Sequence, residues 1–223
     1  MDRSTSGAAF ATRSIGMFTL FGHPLSGNTH KVRLMLRAFD LAYREEVVDV
    51  VKGEHKQAAH LARNPRGQVP VLVDPDERTT IYDAQAILVY LARRFDRGGT
   101  WLGATPLSAA QVMQWLSFAA NEIHNGPHLA RLHYLLGVPM DIAAVQQAAR
   151  ASLALVEQQL ARTPYLAGAE LSVADLACYP CVALAPEGRV SLDGFPATRA
   201  WIDGLQAAAF HVAMPGLGAP SPL

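Results

Sequence analysis

Residues 97–106, RGGTWLGATP, divide the chain into two unlike halves. Before this break, short apolar runs alternate with amphipathic helices; after it, every periodic stretch has helical spacing. The first half reads strand 17–21, helix 28–39, strand 42–51, a short irregular helix closed by Asn64-Pro65, strand 69–73, a polar turn, strand 79–82 and helix 83–95. Its opening is a βαβ unit and its close is a hairpin followed by a helix. Val32, Met35, Leu36 and Phe39 mark the buried stripe of the first helix; Ala84, Ile87, Leu88, Leu91 and Phe95 mark that of the last. The second half reads as helices over 107–136, 141–161, 172–184 and 196–209, with Gly126-Pro127 expected to bend the first. The fold class is therefore α/β followed by all-α, in two domains: 17–97 and 106–212. Residues 1–16 are small, polar and aperiodic, without the apolar core of a secretory signal, and are expected to be a flexible extension. Residues 213–223 are expected to form a loose tail.

Totals exclude several partners. Lys plus Arg equals Asp plus Glu at 19 each, so the chain lacks the excess basic charge that neutralises nucleic-acid phosphates or grips an anionic membrane. No apolar run approaches the ~20 residues of a membrane helix. Two cysteines suit a reducing compartment, and the expected location is cytoplasmic.

Three places carry chemistry. In PLSGNTHKVRLML, Ser26 and Asn28 stand where a strand feeds a helix. That helix end offers free N–H groups and a positive dipole end, which favour anions including a thiolate. The plain reading is a capping serine; the functional one is a hydroxyl that donates to sulfur. At Val69-Pro70, an ordinary trans proline opening an edge strand competes with a cis bond that turns the Val69 backbone toward a ligand. At Tyr82-Asp83-Ala84-Gln85 a second helix entry sits beside a carboxylate able to meet an ammonium group. Together they outline a pocket for one small zwitterionic thiol: carboxylate at Ala84, amine at Asp83, peptide backbone at Val69, sulfur at Ser26.

The segments LFGHPLSGNTHKVRLML, VVKGEHKQAAHLARNPRGQVPVLVD and IYDAQAILVYLARRF, with LSVADLACYP in the second half, closely resemble the cytosolic glutathione S-transferases over residues 17–212. The loop resembles the bacterial serine/asparagine type, similar to theta- and nu-like members. The resemblance implies a thioredoxin-like first domain with cis Pro70, an all-helical second domain, a homodimer, and glutathione as co-substrate with no metal. It gives Ser26 and Asn28 the sulfur, His55 and Gln68 the glycyl end, Val69 and Pro70 the cysteinyl backbone, and Asp83 and Ala84 the γ-glutamyl end. It implies that bound glutathione, with its thiol activated, attacks a small electrophile. Disulfide or peroxide reduction at the same site and a non-catalytic binding protein are the alternatives. Ala84 departs from the family's usual Ser or Thr; a lost hydrogen bond to a charged group, ~1.5–3 kcal/mol, weakens glutathione more than tenfold.

Other features are weighed lower. Trp115, Phe118, Glu122 and Asn125 form a helical stripe open to two readings, core or substrate pocket, and are the pocket candidates, with Arg131 and Tyr134 in addition. Cys178 and Cys181 have redox spacing but lie in a late apolar helix, which fits buried structural thiols. His124, His128, His133 and Glu122 are interrupted by Gly126-Pro127, so no metal site is expected.

Overall fold

The apolar runs of the first half become β1 (Phe18–Gly22), β2 (Tyr43–Val47), β3 (Val71–Asp74) and β4 (Thr79–Tyr82) in the computed structural model, which describes residues 16–217. They form one sheet in the order β2-β1-β3-β4. β1 runs parallel to β2 and antiparallel to β3, and β3 and β4 form the hairpin. β1 is central, and its Phe18 and Leu20 are fully buried. Helices α1 (Gly27–Ala38) and α3 (Ala84–Phe95) bury the expected stripes, Val32, Met35 and Leu36 on one and Ile87, Leu88 and Leu91 on the other. A short helix α2 (Ala58–Leu61) lies before β3. This is a thioredoxin-like domain, and the Val69-Pro70 bond that enters β3 is cis.

β2 is shorter than its valines suggest. It stops at Val47, and Val47 and Val51 are 61% and 71% exposed. β2 is an edge strand with one neighbour. Asp49 then turns the chain by accepting from the Val51 and Lys52 N–H groups, both at 3.0 Å.

The second half is helical: α4 (Pro106–Ala120), α5 (Leu129–Leu136), α6 (Ile142–Leu160), α7 (Val173–Ala183) and α8 (Pro196–Gln206). α7 is apolar all round and buried along nearly its whole length, the mark of a core helix. Its start is fixed by Ser172 and Asp175: the Asp175 carboxylate accepts from the Ser172 N–H at 3.0 Å, and Ser172 Oγ accepts from the Ala174 N–H. α7 packs directly on α1, where a Cβ at Gly27 would meet Cys181 Sγ at 3.4 Å and Pro180 at 3.6 Å.

Two expectations are corrected. The single bent helix over 107–136 is instead α4 and α5 separated by a π-helical turn, His124–His128. Pro127 has no N–H for a regular ladder, and the wider turn accommodates it. Gly126 in that turn lies against α6, where a Cβ would stand 2.8 Å from Ala149 Cα. The tail is also not loose as far as Leu217. Met214 and Leu217 are 3% and 2% exposed and exchange backbone hydrogen bonds across a tight turn, because both apolar side chains reach the core. Residues 218–223, and the extension 1–16 apart from Gly16, lie outside the described residues. No helix among the described residues is long and apolar enough to cross a membrane.

Candidate functional site

β1 delivers the chain into the loop His23–Ser26, and the loop is held by cations behind it. Arg33 Nη2 donates to the His23 carbonyl at 3.2 Å while its guanidinium pairs with Glu45. Arg131 of α5, only 3% exposed, donates Nη1–H to the Leu25 carbonyl at 2.6 Å and pairs through Nε with Glu187 at 2.5 Å. Two guanidiniums from two domains thus fix the carbonyls just ahead of Ser26, and both leave positive charge at the loop.

Ser26 is the N-cap of α1: its Oγ accepts from the Thr29 N–H at 3.1 Å. A hydroxyl that accepts from the helix keeps its own proton free to donate. The capping role expected from the sequence and the ligand-directed role are therefore compatible. Asn28, on the first turn, is half-buried at the same mouth.

The mouth opens on a cleft of ≈ 320 Å³ between the two domains. Ser26, Asn28, His55, Gln68 and Val69 all line it, so the residues expected from the first domain converge. The 64–68 loop is shaped by two buried side chains. Asn64 Nδ2–H donates to the Gln68 carbonyl at 2.8 Å, Asn64 Oδ1 accepts from the Arg66 N–H, and His60 Nε2 lies 2.9 Å from the same Gln68 carbonyl. Lys56 adds a cation to this wall and donates from Nζ to the Gly67 carbonyl at 3.0 Å. The His55 pKa is lowered from its ordinary value by burial, and then by Lys56 and His60.

Asp83 and Ala84 stand at the adjoining helix entry. Asp83 is the N-cap of α3 at φ +76°, a region costly to any residue but glycine. One carboxylate oxygen accepts from the Gln85 and Ala86 N–H groups, and the other pairs with Arg66 at 3.3 Å. Asp83 borders a second, polar cavity of ≈ 100 Å³ that shares Asn28, Gln68, His124 and His128 with the main cleft. Ala84 is buried at the first position of α3.

The opposite wall comes from residues that the sequence pattern largely hid: His124, His128, Arg131, Leu132, Leu135 and Leu136. The π-helical turn aims the two histidines inward, with rings stacked at 4.9 Å. Burial comes first in lowering both of their pKa values, His128 to about 3. Leu135 and Leu136 present exposed apolar surface.

The candidates Trp115, Phe118, Glu122 and Asn125 do not line this cleft. Trp115 and Phe118 pack edge to face at 5.0 Å and border a separate groove with Gln158 and Gln159 of α6 and Arg162 just beyond it. Glu122 opens on the outer face of α4, and the exposed Asn125 donates to Asn121 Oδ1 at 2.9 Å. The break after Ala120 is the reason, since the face that continues α4 is not the face the π-turn presents. Of the added pair, Arg131 lies in the cleft; Tyr134 lies under Arg189, which stacks 4.2 Å above its ring.

Cys178 and Cys181 are free, buried thiols of α7. Burial pushes the Cys178 thiol well above its ordinary pKa, so it is an unreactive packing group. Among the described residues, no three His, Cys, Asp or Glu side chains are grouped to hold a metal. His133 turns instead to the Val138 carbonyl, 2.9 Å from its Nδ1.

Comparison with known proteins agrees with this geometry. Residues 25–94 match the glutathione S-transferase N-terminal domain and residues 139–204 the C-terminal domain. Glutathione S-transferase 3 of Zea mays is 34% identical over 216 residues, covering 91% of this chain and 96% of the relative. A disulfide-bond oxidoreductase of Escherichia coli is 28% identical over 190 residues, covering 81% and 86%. The crystal structure of a glutathione S-transferase from Pseudomonas fluorescens superposes with a TM-score of 0.83 at 33% identity, covering 89% of this chain and 99% of that one.

Proposed function

Because the chain belongs to the glutathione S-transferase family, we propose that its cleft binds glutathione with the sulfur at Ser26 and turns the thiol into a nucleophile. The observation that carries this reading is the N-cap geometry: the Ser26 hydroxyl accepts from the Thr29 N–H, keeps its proton for an acceptor, and faces the cleft that Val69 also lines.

The tripeptide is assigned along the first-domain wall. The glycyl carboxylate meets His55 and Lys56, near Gln68. The cysteinyl amide pairs with the Val69 backbone, which makes no backbone hydrogen bond among the described residues. The γ-glutamyl end reaches Asp83 and the Ala84 N–H. At the sulfur, Ser26 O–H donates, the α1 N-terminus adds its dipole, and Arg33 and Arg131 hold positive charge behind the loop. Each of these favours thiolate over thiol. The thiolate then forms a carbon–sulfur bond to an electrophilic carbon, and the leaving group departs with the electron pair of the broken bond. Leu132, Leu135 and Leu136 provide an apolar seat for a small hydrophobic electrophile.

A cytoplasmic homodimer is part of the same reading. The dimer is supported by exposed apolar side chains on α4, Leu107 at 70% and Met113 at 55%. Steady-state assay with a chloronitroarene and, separately, with hydroxyethyl disulfide tests the reaction class. Glutathione conjugation that exceeds disulfide reduction is expected. Reduction without conjugation overturns the transferase reading, and neither activity, with no thermal stabilisation by millimolar glutathione, overturns glutathione use altogether.

A further inference from the structure

Among the described residues, the buried cations of α1 and α5 around the site all have partners except one. Arg33 is tied to Glu45 and Arg131 to Glu187. Lys31, one turn into α1, is 1% exposed, and among the described residues its ammonium makes no ion pair and no hydrogen bond. Its side chain opens on a cavity, so an ammonium with no protein partner among the described residues stands open to an incoming anion.

The surroundings of Lys31 identify the anion. Its side chain lines the ≈ 100 Å³ polar cavity together with Asn28, Arg66, Asp83 and Gln85. Ser26 does not border this cavity, so Lys31 is displaced from the sulfur position toward the α3 entry. The Asp83 carboxylate is already engaged by Arg66 and by the Gln85 and Ala86 N–H groups. Two cations therefore face one carboxylate, and the cavity has an excess of positive charge. His124 and His128 also line it, and burial is the first cause that lowers both of their pKa values; Lys31 comes next for His124, and after His124 for His128. The cavity joins the main cleft through Asn28, Gln68, His124 and His128, so a ligand lying along the cleft can send one end into it.

We infer that Lys31 is the counter-ion for the α-carboxylate of the γ-glutamyl group, supplying the charge-assisted hydrogen bond that Ala84, without a hydroxyl, does not. The inference rests on the glutathione reading above. It accounts for two otherwise separate facts, a lysine on the cavity with no partner among the described residues and an alanine, without a hydroxyl, at the first position of α3. On this account the γ-glutamyl ammonium faces Asp83 and the carboxylate lies between Lys31 and the Ala84 N–H.

Calorimetric titration of the full chain with two ligands tests it: glutathione, and the analogue in which 4-aminobutanoyl replaces γ-glutamyl, which keeps the amide chain and amine but lacks the α-carboxylate. Wild type is expected to bind glutathione more than about tenfold more tightly than the analogue, the ratio of a charge-assisted hydrogen bond. In Lys31→Met that ratio is expected to collapse to about twofold or less, because glutathione weakens and the analogue does not. Ligand-free Lys31→Met is expected to melt at or above the wild-type temperature, since an unpaired charge has been removed. Should Lys31→Met fail to fold, Lys31→Gln is read by the same ratio. An unchanged ratio, or equal weakening of both ligands, overturns the assignment of Lys31 and leaves glutathione binding intact. Absence of glutathione binding by the wild type overturns the functional reading and the inference with it.

Discussion

Arg131 is the residue of the second domain that holds the reacting loop, and its removal has a calculable consequence. Its guanidinium is 3% exposed, donates to the Leu25 carbonyl at 2.6 Å and pairs with Glu187 at 2.5 Å. Arg131→Met removes a charged hydrogen bond to a carbonyl, about 1.5–3 kcal/mol. The Glu187 side chain is 36% exposed and regains water once freed, so the lost ion pair adds only about 1 kcal/mol. The expected destabilisation in urea is therefore about 3 kcal/mol. Catalysis is expected to suffer separately. Leu25 adjoins Ser26, and a loop displaced by ~1 Å costs on the order of a hundredfold in turnover. Glutathione affinity is expected to stay within about threefold, because His55, Lys56, Val69 and Asp83 belong to other segments. Arg131→Lys keeps the charge but cannot span Leu25 and Glu187 with one ammonium, so its turnover is expected to remain low. Steady-state kinetics beside calorimetric titration separate the two effects. Full turnover in Arg131→Met refutes the positioning argument, and full recovery in Arg131→Lys shows that charge alone matters.

Three further outcomes follow from the same contacts. Ala84→Ser adds a hydroxyl beside the γ-glutamyl carboxylate and is expected to tighten glutathione about tenfold in calorimetric titration; an unchanged or weaker Kd refutes the reading of that helix entry. Asp175 is fully buried and accepts from the Leu166 N–H, the Ser172 N–H and hydroxyl, and Trp201 Nε1, so Asp175→Ala strands several donors and is expected to cost about 4 kcal/mol in urea unfolding; a loss below about 1 kcal/mol contradicts that hydrogen-bond assignment. His30 is fully buried with neither ring nitrogen hydrogen-bonded, and burial, then Arg33 and His211, lower its pKa to about 3. The unfolded chain binds a proton at His30 below about pH 6.5 and the native chain does not, so stability at this site is intact above 6.5 and lost as pH falls toward 3, at about 1.4 kcal/mol per pH unit. Urea unfolding of His30→Leu across that window is expected to show a slope shallower by that amount, and parallel slopes refute it.

Local periodicity made the first domain legible. The stripes of α1 and α3, the βαβ opening and the β3–β4 hairpin depend on neighbours in sequence, and Ser26, Val69 and Asp83 lie at the breaks between those elements. The second-domain wall was hidden for an equally physical reason. The helical pattern runs through Asn121 without interruption, whereas the chain enters a π-helical turn to accommodate Pro127 and to let α6 approach Gly126. That turn re-aims the faces, so Trp115 and Phe118 leave the cleft and His124 and His128 enter it. Gly126-Pro127 was the available signal, and it pointed to a bend rather than to the face the bend exposes. Lys56, His60 and Asn64 were similarly hidden, since they act through backbone carbonyls that no side-chain pattern records. Edge position explains β2: its valines have the composition of a buried strand, but a strand with one neighbour ends where Asp49 can turn it.

The central claim is that Ser26 and the α1 N-terminus stabilise a thiolate. The direct measurement is the ultraviolet absorbance of bound glutathione thiolate as a function of pH, in wild type and in Ser26→Ala. A free thiol titrates near ~8.5, and each unit of depression corresponds to ~1.4 kcal/mol of preferential thiolate stabilisation. The bound thiol in the wild type is expected at least about one unit below that value, and Ser26→Ala is expected to return about one unit while glutathione remains bound. A wild-type thiol that titrates at its free value, or a depression that survives Ser26→Ala, contradicts the account.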